Sequence, residues 1–186
     1  MLSAGIFAGI ISAIATTVLK NAFNLPRPAS LLESGSFHRI GEVLLNKAFP
    51  SGHTLTAFAI ASALYFSANK EKRAPLLGLF LLATCVGLSR NAVGAHWLTD
   101  VLAGAGVGMW CGMFGALLAD RLTKDALNLK SAWSRTIAIG GLAAIYAHIT
   151  KVMDLELNQP LQYASIAIIV ITLAFFATAQ FTQVRQ

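Results

Sequence analysis

Residues 101–119, VLAGAGVGMWCGMFGALLA, form a run without a single charged side chain. A helix needs about 20 apolar residues to cross the hydrocarbon core of a bilayer, so this run is long enough to span it. Gly104, Gly108, Gly112 and Ala116 recur every fourth residue within the run. Small residues at this spacing share one helix face and let a neighbouring helix approach closely. The run therefore predicts a membrane-spanning helix that packs tightly on another helix.

The rest of the chain has the same apolar character. Hydrophobic residues make up 56% of the 186 residues and charged residues only 12%, with a mean hydropathy of +0.66. An average soluble domain has about 25% charged residues, so too few charges remain here to cover a soluble surface. Further uncharged runs, interrupted only by His148, occupy residues 1–19, 54–69, 74–89, 136–150 and 157–184. We therefore expect an all-α fold, a polytopic membrane bundle of about six transmembrane helices that forms a single domain over residues 1–186.

Other classes of protein fit this composition poorly. A net charge of +6 is compatible with nucleic-acid binding, but the 14 Lys and Arg residues are scattered, and no basic stretch carries interleaved aromatic residues. Cys85 and Cys111 both lie in apolar runs, which favours core packing over a disulfide framework. The four His residues form no cluster with Cys or carboxylates at the spacing of metal ligands. We expect no nucleic-acid partner, no metal and no other cofactor.

The distribution of Lys and Arg predicts the orientation, because cytoplasmic loops of membrane proteins are enriched in both residues. With six spans, one side of the membrane carries Lys70, Lys72, Arg73, Arg121, Lys124, Lys130, Arg135 and Arg185. The other side carries Lys20, Arg27, Arg39, Lys47, Arg90 and Lys151, three of which belong to the motifs described next. Setting those three aside, the first side is richer in basic residues and is predicted to be cytoplasmic. The 20–53 connection and the 90–96 turn then face outward.

Three polar motifs fall on the predicted outward side. They are Lys20-x6-Arg27-Pro28, Pro50-Ser51-Gly52-His53 and Ser89-Arg90-x5-His96-x3-Asp100. Ser51 is a good helix N-cap, and the unpaired N–H groups that follow an N-cap form an anion site. Lys20, Arg27 and Arg90 add three cations, and the guanidinium of Arg matches phosphate oxygens bidentately.

His96 and Asp100 are four residues apart and therefore share one helix face. A carboxylate at this position fixes the tautomer of the imidazole and stabilises a positive ring. Taken singly, such residues have ordinary explanations: an interfacial anchor, a satisfied polar group or a helix cap. Each ionisable group at membrane depth costs about 2.5–3.5 kcal/mol on insertion scales, so a whole cluster indicates a functional site. The three cations in this cluster predict that the site binds phosphate.

In this order, the three motifs resemble the signature of the type 2 phosphatidic acid phosphatases, and all eleven specified positions match. That superfamily includes undecaprenyl-diphosphate phosphatases, lipid A phosphatases, glucose-6-phosphatases and soluble vanadium haloperoxidases. The signature covers residues 20–100. The resemblance implies a metal-independent hydrolase acting on a phosphate or diphosphate monoester of a lipid. Phosphatidate, phosphatidylglycerol phosphate, undecaprenyl diphosphate and lipid A are all compatible substrates.

The resemblance also implies a role for each residue. His96 is the nucleophile that forms a phosphohistidine, Asp100 orients it, and His53 protonates the leaving oxygen. The groups implied to bind phosphate are Lys20, Arg27, Ser51, the Gly52 backbone and Arg90. These roles agree with general acid, nucleophilic and electrostatic catalysis. The implied partners are membrane lipids and a lipid phosphate substrate, in a bacterial inner membrane with the site facing the periplasm or exterior; oligomeric state stays open.

Two alternative functions remain at this point. A phosphohistidine can pass its phosphoryl group to another lipid instead of water, which would make the protein a phosphotransferase. A small transporter would line a path with polar residues near mid-helix. This chain has its polar residues at helix ends, which disfavours transport.

The N-terminal part departs from the usual pattern of the family. Residues 1–19 lack the basic start and the cleavage pattern of a signal peptide, so we expect a retained helix. Six-helix members usually have three helices before the first motif, whereas one precedes Lys20 here. We interpret this as a truncated or rearranged start.

The 29–49 connection is long for a helical bundle. Phe37, Ile40, Val43, Leu44 and Ala48 recur three or four residues apart, with charged residues between them. This spacing is compatible with a short amphipathic helix on the membrane surface and equally with a packed surface loop.

Overall fold

The computed structural model describes residues 1–121 apart from positions 34 and 42, together with isolated positions between 139 and 174. The chain divides into two compact units, Met1–Arg121 and Leu122–Gln186. The described positions of the second unit are helical. The spans predicted at residues 136–150 and 157–184 lie largely outside the described residues. The helices described below belong to the first unit.

Helices connected by short turns and one long loop form the first unit. In chain order they are α1 (Leu2–Phe23), α2 (Pro28–Leu31), α3 (Gly52–Ser67), a 3₁₀ turn (Lys70–Lys72), α4 (Arg73–Ala92) and α5 (Leu98–Asp120). No strand occurs among the described residues. The expected all-α class is confirmed for this part of the chain, and its four long helices match the four runs predicted there.

Three segments of the described chain are long and apolar enough to cross a membrane: Ser3–Leu31, Lys70–Ala92 and Leu98–Asp120. The remaining long helix, α3, has 16 residues and is shorter than these segments. The predicted total of about six spans therefore stays a prediction.

The helix ends follow from local sequence. α1 ends at Asn24, which adopts the left-handed conformation (φ 42°) and donates its N–H to the Lys20 carbonyl. Pro26 and Pro28 then prevent the helix from continuing. At the start of α5 the Asp100 carboxylate accepts the Trp97 N–H at 2.9 Å, which satisfies one of the donors there. These ends fix the positions of the residues that follow α1 and precede α5.

The small-residue face of α5 packs closely on another helix, as the sequence predicts, and the structure identifies that helix as α3. A methyl group added at Gly104 would lie 2.7 Å from the Ser51 carbonyl oxygen. At Gly108 and Gly112 it would overlap the carbonyl oxygens of Leu55 and Ala59. Only glycine permits this backbone-to-backbone approach, so the stripe fixes the register of α5 against α3.

The first unit buries small residues and exposes large apolar ones. Its core cluster consists of Ala4, Ala8, Leu55, Ala59, Ala63, Cys111 and Ala116. Leu81, Leu102 and Trp110, in contrast, are each more than 60% exposed. Large apolar side chains on the outside suit a hydrocarbon environment better than water. The predicted core role of Cys111 is confirmed, and that of Cys85 is wrong, because its thiol is exposed.

The connection between α2 and α3 is a loop, and of the two interpretations offered by its sequence the amphipathic helix is wrong. Positive φ angles at Gly41 (95°) and Lys47 (58°) are incompatible with a continuous helix. Its backbone N–H groups bond to other segments, with Ile40 donating to the Val93 carbonyl and Ala48 to the Leu25 carbonyl. The loop is therefore attached both to the end of α1 and to the turn before α5.

Candidate active site

The residues singled out in the three motifs come together at one end of the first unit. They are supplied by the C-terminal end of α1 and the segment after it, the N-terminal end of α3, the C-terminal end of α4 and the N-terminal end of α5. Arg27, Ser51, His96 and Asp100 are buried, Lys20, Gly52 and Arg90 are half-buried, and His53 is exposed. The three motifs, separated by more than 20 residues from one another in the sequence, thus contribute to one polar site.

His96 and Asp100 form the buried centre of the site. The Nδ1 atom of His96 lies 3.4 Å from Oδ2 of Asp100, and the two side chains are only 3% and 2% exposed. The same Oδ2 atom accepts the Trp97 backbone N–H. Asp100 is therefore held by the start of α5 and is positioned to accept a hydrogen bond from the Nδ1–H group of the imidazole.

Arg27 lies on the other side of the imidazole. Its Nη1 atom is 3.4 Å from Nε2 of His96. Arg can only donate hydrogen bonds, so this contact requires a lone pair on Nε2. From these two contacts we assign His96 the tautomer with the proton on Nδ1 and the lone pair on Nε2. This is the tautomer that a nucleophilic imidazole needs.

Arg27 also ties the surrounding loops together. Its Nε atom donates to the Asn46 carbonyl at 2.9 Å, and Nη1 donates to the Ala95 carbonyl at 3.1 Å. Nη2 donates to the Lys47 carbonyl at 3.4 Å. Since most of its N–H groups bond to carbonyls, Arg27 supports the shape of the site as well as adding charge to it.

The surroundings keep His96 neutral. Burial lowers the pKa of His96 to about 3, with further contributions from the positive charges of Arg27, Lys20 and Arg90. At neutral pH the imidazole is therefore uncharged, and its Nε2 lone pair is free of a proton.

His53 occupies the edge of the site. Its side chain keeps a solvent-exposed face, yet neighbouring protein atoms desolvate it in part. This desolvation lowers the pKa of His53, and the charges of Arg90, Lys20 and Arg27 lower it further. A bound anion would reverse the effect of those charges and favour protonation of His53.

Two of the cations have no protein partner. Within the described residues, the side chains of Lys20 and Arg90 make no hydrogen bond and no salt bridge, and Nε of Arg90 is buried without an acceptor. A buried donor without an acceptor is costly unless a ligand satisfies it. These two groups are therefore available for an anion.

The start of α3 completes the anion site. Ser51 is the N-cap residue, but the cap hydrogen bond expected from its hydroxyl is not made. Instead, the Ser51 hydroxyl accepts a hydrogen bond from Thr54 at 2.9 Å. The first N–H groups of α3 are left without a capping side chain and carry the positive end of the helix dipole. Lys20 reaches over this end, since its Cε atom would lie 3.9 Å from a methyl group placed on Gly52.

Sequence analysis missed two residues that shape the site. Nδ2 of Asn91 donates to the His96 carbonyl at 2.9 Å, and Nε1 of Trp97 donates to the Pro26 carbonyl at 3.0 Å. Asn91 braces the turn that carries His96, and Trp97 joins that turn to the segment containing Arg27. Both lie inside the third motif, at positions where its spacing specifies no residue type.

The site has the donor set of an anion-binding centre. In residues 1–121, as far as they are described, no group of three or more His, Cys, Asp and Glu residues is arranged to hold a metal ion. The cations, the helix N–H groups and a neutral imidazole favour an anion with several oxygens next to a nucleophile.

Comparison with known proteins agrees with this chemistry. Two lipid A 1-phosphatases are similar to the chain: that of Porphyromonas gingivalis is 35% identical over 58% of this chain and 26% of its own length. That of Rhizobium johnstonii is 31% identical over 62% of this chain and 46% of its own length. The chain thus spans about half or less of these curated relatives.

A solved structure is also similar. The crystal structure of Aquifex aeolicus LpxE matches with a TM-score of 0.53 and 36% identity, over 61% of this chain and 65% of that one. The family model of the PAP2 superfamily matches residues 2–124, the part of the chain that contains all three motifs. The chain therefore belongs to the PAP2 superfamily, the type 2 phosphatidic acid phosphatases.

Proposed function

We propose that this protein is an integral-membrane lipid phosphatase that hydrolyses a phosphate or diphosphate monoester of a lipid through a phosphohistidine on His96. The observation that carries the proposal is the neutral, buried His96, held by Asp100 at Nδ1. Beside it stand Lys20 and Arg90, two cations without a protein partner among the described residues. Membership of the PAP2 superfamily supports the same chemistry.

In the first step, the phosphate of the substrate displaces Arg27 from the Nε2 atom of His96. The Nε2 lone pair then forms a bond to phosphorus while the bond from phosphorus to the lipid oxygen breaks. His53 gives its proton to that oxygen, so the lipid leaves as a neutral alcohol, or as a lipid monophosphate when the substrate is a diphosphate. Asp100 stabilises the positive charge that the phosphorylated imidazole acquires.

In the second step, water attacks phosphorus and breaks its bond to Nε2. His53, now neutral, accepts a proton from that water, which restores the starting protonation state. The product is inorganic phosphate. In both steps Lys20, Arg27, Arg90 and the N–H groups at the start of α3, including that of Gly52, stabilise the charge on the equatorial oxygens. The Ser51 hydroxyl, which accepts a hydrogen bond from Thr54, donates its own O–H to the phosphate.

The relatives favour one of the compatible substrates. The similar proteins are called lipid A 1-phosphatases, so we propose lipid A as the leading candidate, ahead of phosphatidylglycerol phosphate and undecaprenyl diphosphate. Phosphate release by purified protein in detergent, measured across these three lipids and phosphatidate, tests this. The same panel should be repeated with EDTA and with vanadate, since we propose a metal-free mechanism with a five-coordinate phosphorus that vanadate mimics. Loss of activity in EDTA, restored by a divalent ion, would contradict it.

We further propose that the site faces the periplasm or exterior of a bacterial inner membrane. Exposed Ser36 lies in the long connection next to the site, and exposed Lys72 lies between α3 and α4 at the opposite end. Single cysteines at these positions, in a background of Cys85→Ser and Cys111→Ala, can be labelled in intact cells with an impermeant thiol reagent. Position 36 should react and position 72 should not; the reverse pattern would overturn the orientation.

A further inference from the structure

An apolar groove of about 290 Å³ runs along the surface between α3 and α4. Its lining includes Thr56, Ala57 and Ile60 from α3 and Leu79, Leu82 and Val86 from α4. Ala61 and Ala83, each 3% exposed, form its floor. None of the described residues that line the groove is charged, and α4 belongs to a segment that is apolar enough to cross a membrane. The groove is therefore suited to hydrocarbon.

The helix register brings the groove up to the candidate active site. On α3, His53, Ala57 and Ile60 follow one another at spacings of four and three, so they share a face. On α4, Val86 and Arg90 are four residues apart and share a face as well. The end of the groove nearest the site therefore lies about one helical turn from His53 along α3 and from Arg90 along α4. Those two groups are near each other, since the charge of Arg90 contributes to the lowered pKa of His53.

The direction of the proposed reaction decides what the groove holds. In-line displacement places the leaving oxygen on the side of phosphorus opposite His96. His53 protonates that oxygen, and the leaving group is the lipid. The apolar part of the lipid must therefore extend away from phosphorus on the His53 side, where the groove begins.

We infer that the α3–α4 groove binds the hydrocarbon part of the substrate that lies nearest the leaving oxygen. This inference rests on the proposed function, because it uses the direction of lipid departure. Between Leu79 and Val86 the groove follows α4 for about 10 Å, at a rise of about 1.5 Å per residue. It thus accommodates the first part of an acyl or prenyl chain, while the phosphate stays among the cations above it.

Narrowing the groove tests the inference. Ala57→Phe puts a bulky side chain on a residue that lines the groove, and Ala13→Phe makes the same change at an exposed position on α1. Each variant is assayed with a long-chain phosphatidate, a short-chain phosphatidate and 4-nitrophenyl phosphate. For Ala57→Phe we expect KM for the long-chain lipid to rise about tenfold, which corresponds to about 1.4 kcal/mol of binding free energy. Activity on 4-nitrophenyl phosphate should stay within about twofold of wild type, the range expected when transition-state contacts are retained.

An unchanged KM for the long-chain lipid, or an equal loss on all three substrates, would overturn the inference. The aryl phosphate assay keeps this outcome separate from the proposed function, because it reports the chemistry without any lipid chain. If wild type releases no phosphate from any of the three compounds or from lipid A, phosphatidylglycerol phosphate and undecaprenyl diphosphate, the proposed function itself fails.

A labelling experiment provides a readout independent of activity. Ile60 lines the groove, and Ile14 is an exposed residue of α1 that serves as the control position. Single cysteines at these positions, in the Cys85→Ser and Cys111→Ala background, are exposed to a lipid phosphonate carrying a thiol-reactive group in its chain. We expect faster labelling at position 60, suppressed by excess long-chain phosphatidate. Equal labelling at both positions, or labelling at position 60 that excess phosphatidate leaves unchanged, would contradict the inference.

Discussion

Along α3 and α5 the same pair of helices buries two different kinds of residue. At the site end, Ser51, Thr54 and Asp100 are at most 2% exposed and polar. Further along, the contact is formed mainly by small residues such as Ala59 and Gly112. In the apolar region the two backbones are in contact, which fixes the positions of the helix ends. The functional groups of the polar region are attached to these ends. The difference indicates that packing precision in one region sets the geometry of chemistry in the other.

Apart from removal of the nucleophile His96, the largest effect in the polar region is expected from His53→Ala. Loss of a general acid should reduce kcat about 10²- to 10⁴-fold on a lipid phosphate. The loss should shrink on an aryl phosphate, whose leaving group departs without a proton. His38→Ala, a change at an exposed histidine of the long connection, serves as the control and should leave both activities unchanged. An equal loss on both substrates would contradict the acid role of His53.

A single bulky side chain should disrupt the helix packing of the apolar region. In Gly108→Leu the new side chain meets the Leu55 carbonyl and would approach Phe58 Cβ within 2.9 Å. Overpacking of this kind costs about 1–3 kcal/mol of unfolding free energy. Gly106→Leu is a matched control, since nothing lies within 4 Å of a methyl group there. In detergent, the midpoint of thermal unfolding should be lower for Gly108→Leu than for Gly106→Leu. Equal midpoints for the two variants would contradict a stabilising role of the α3–α5 contact.

A smaller effect is expected from Arg90→Lys. The charge is retained, but the planar fork that fits two phosphate oxygens is lost. We expect kcat/KM to fall about tenfold, equivalent to about 1.4 kcal/mol. Arg121→Lys, an exposed position at the other end of α5, should change it less than about twofold. Equal values for the two variants would show that Arg90 does not contact the phosphate.

The smallest effect is a displacement of the pH profile. His96, with a pKa of about 3, is already neutral throughout the range from pH 5 to 8 and contributes no limb there. His53 must carry a proton to act, so activity is lost as pH rises through its pKa. In the free enzyme this pKa is lowered, and bound phosphate opposes the neighbouring cations. The alkaline limb should therefore lie at higher pH in the profile of kcat than in that of kcat/KM. In His53→Gln the alkaline limb should be absent from both profiles. Persistence of these limbs in His53→Gln would assign them to another group.

Much of this site was predictable from sequence because it depends on residue types at fixed spacing. The contact expected between His96 and Asp100 and the close helix packing expected from the glycine stripe are both present. The shared helix face predicted for the pair is wrong, because α5 begins at Leu98 and His96 lies in the turn before it. The bonds of Arg27 to the carbonyls of the 46–47 and 95 positions were not predictable, because backbone acceptors leave no mark on side-chain identity. The loop at residues 33–50 was ambiguous for a related reason. Its apolar spacing suits a helix, but its N–H groups bond to distant segments.

The central claim is that His96 becomes bonded to phosphorus. Purified wild-type protein should be mixed briefly with substrate labelled in its phosphate, denatured in alkali and examined for acid-labile label on the polypeptide. We predict label on wild type and on His53→Ala, located in the peptide containing His96, and none on His96→Ala. Labelled polypeptide from His96→Ala would place the nucleophile elsewhere and contradict the account.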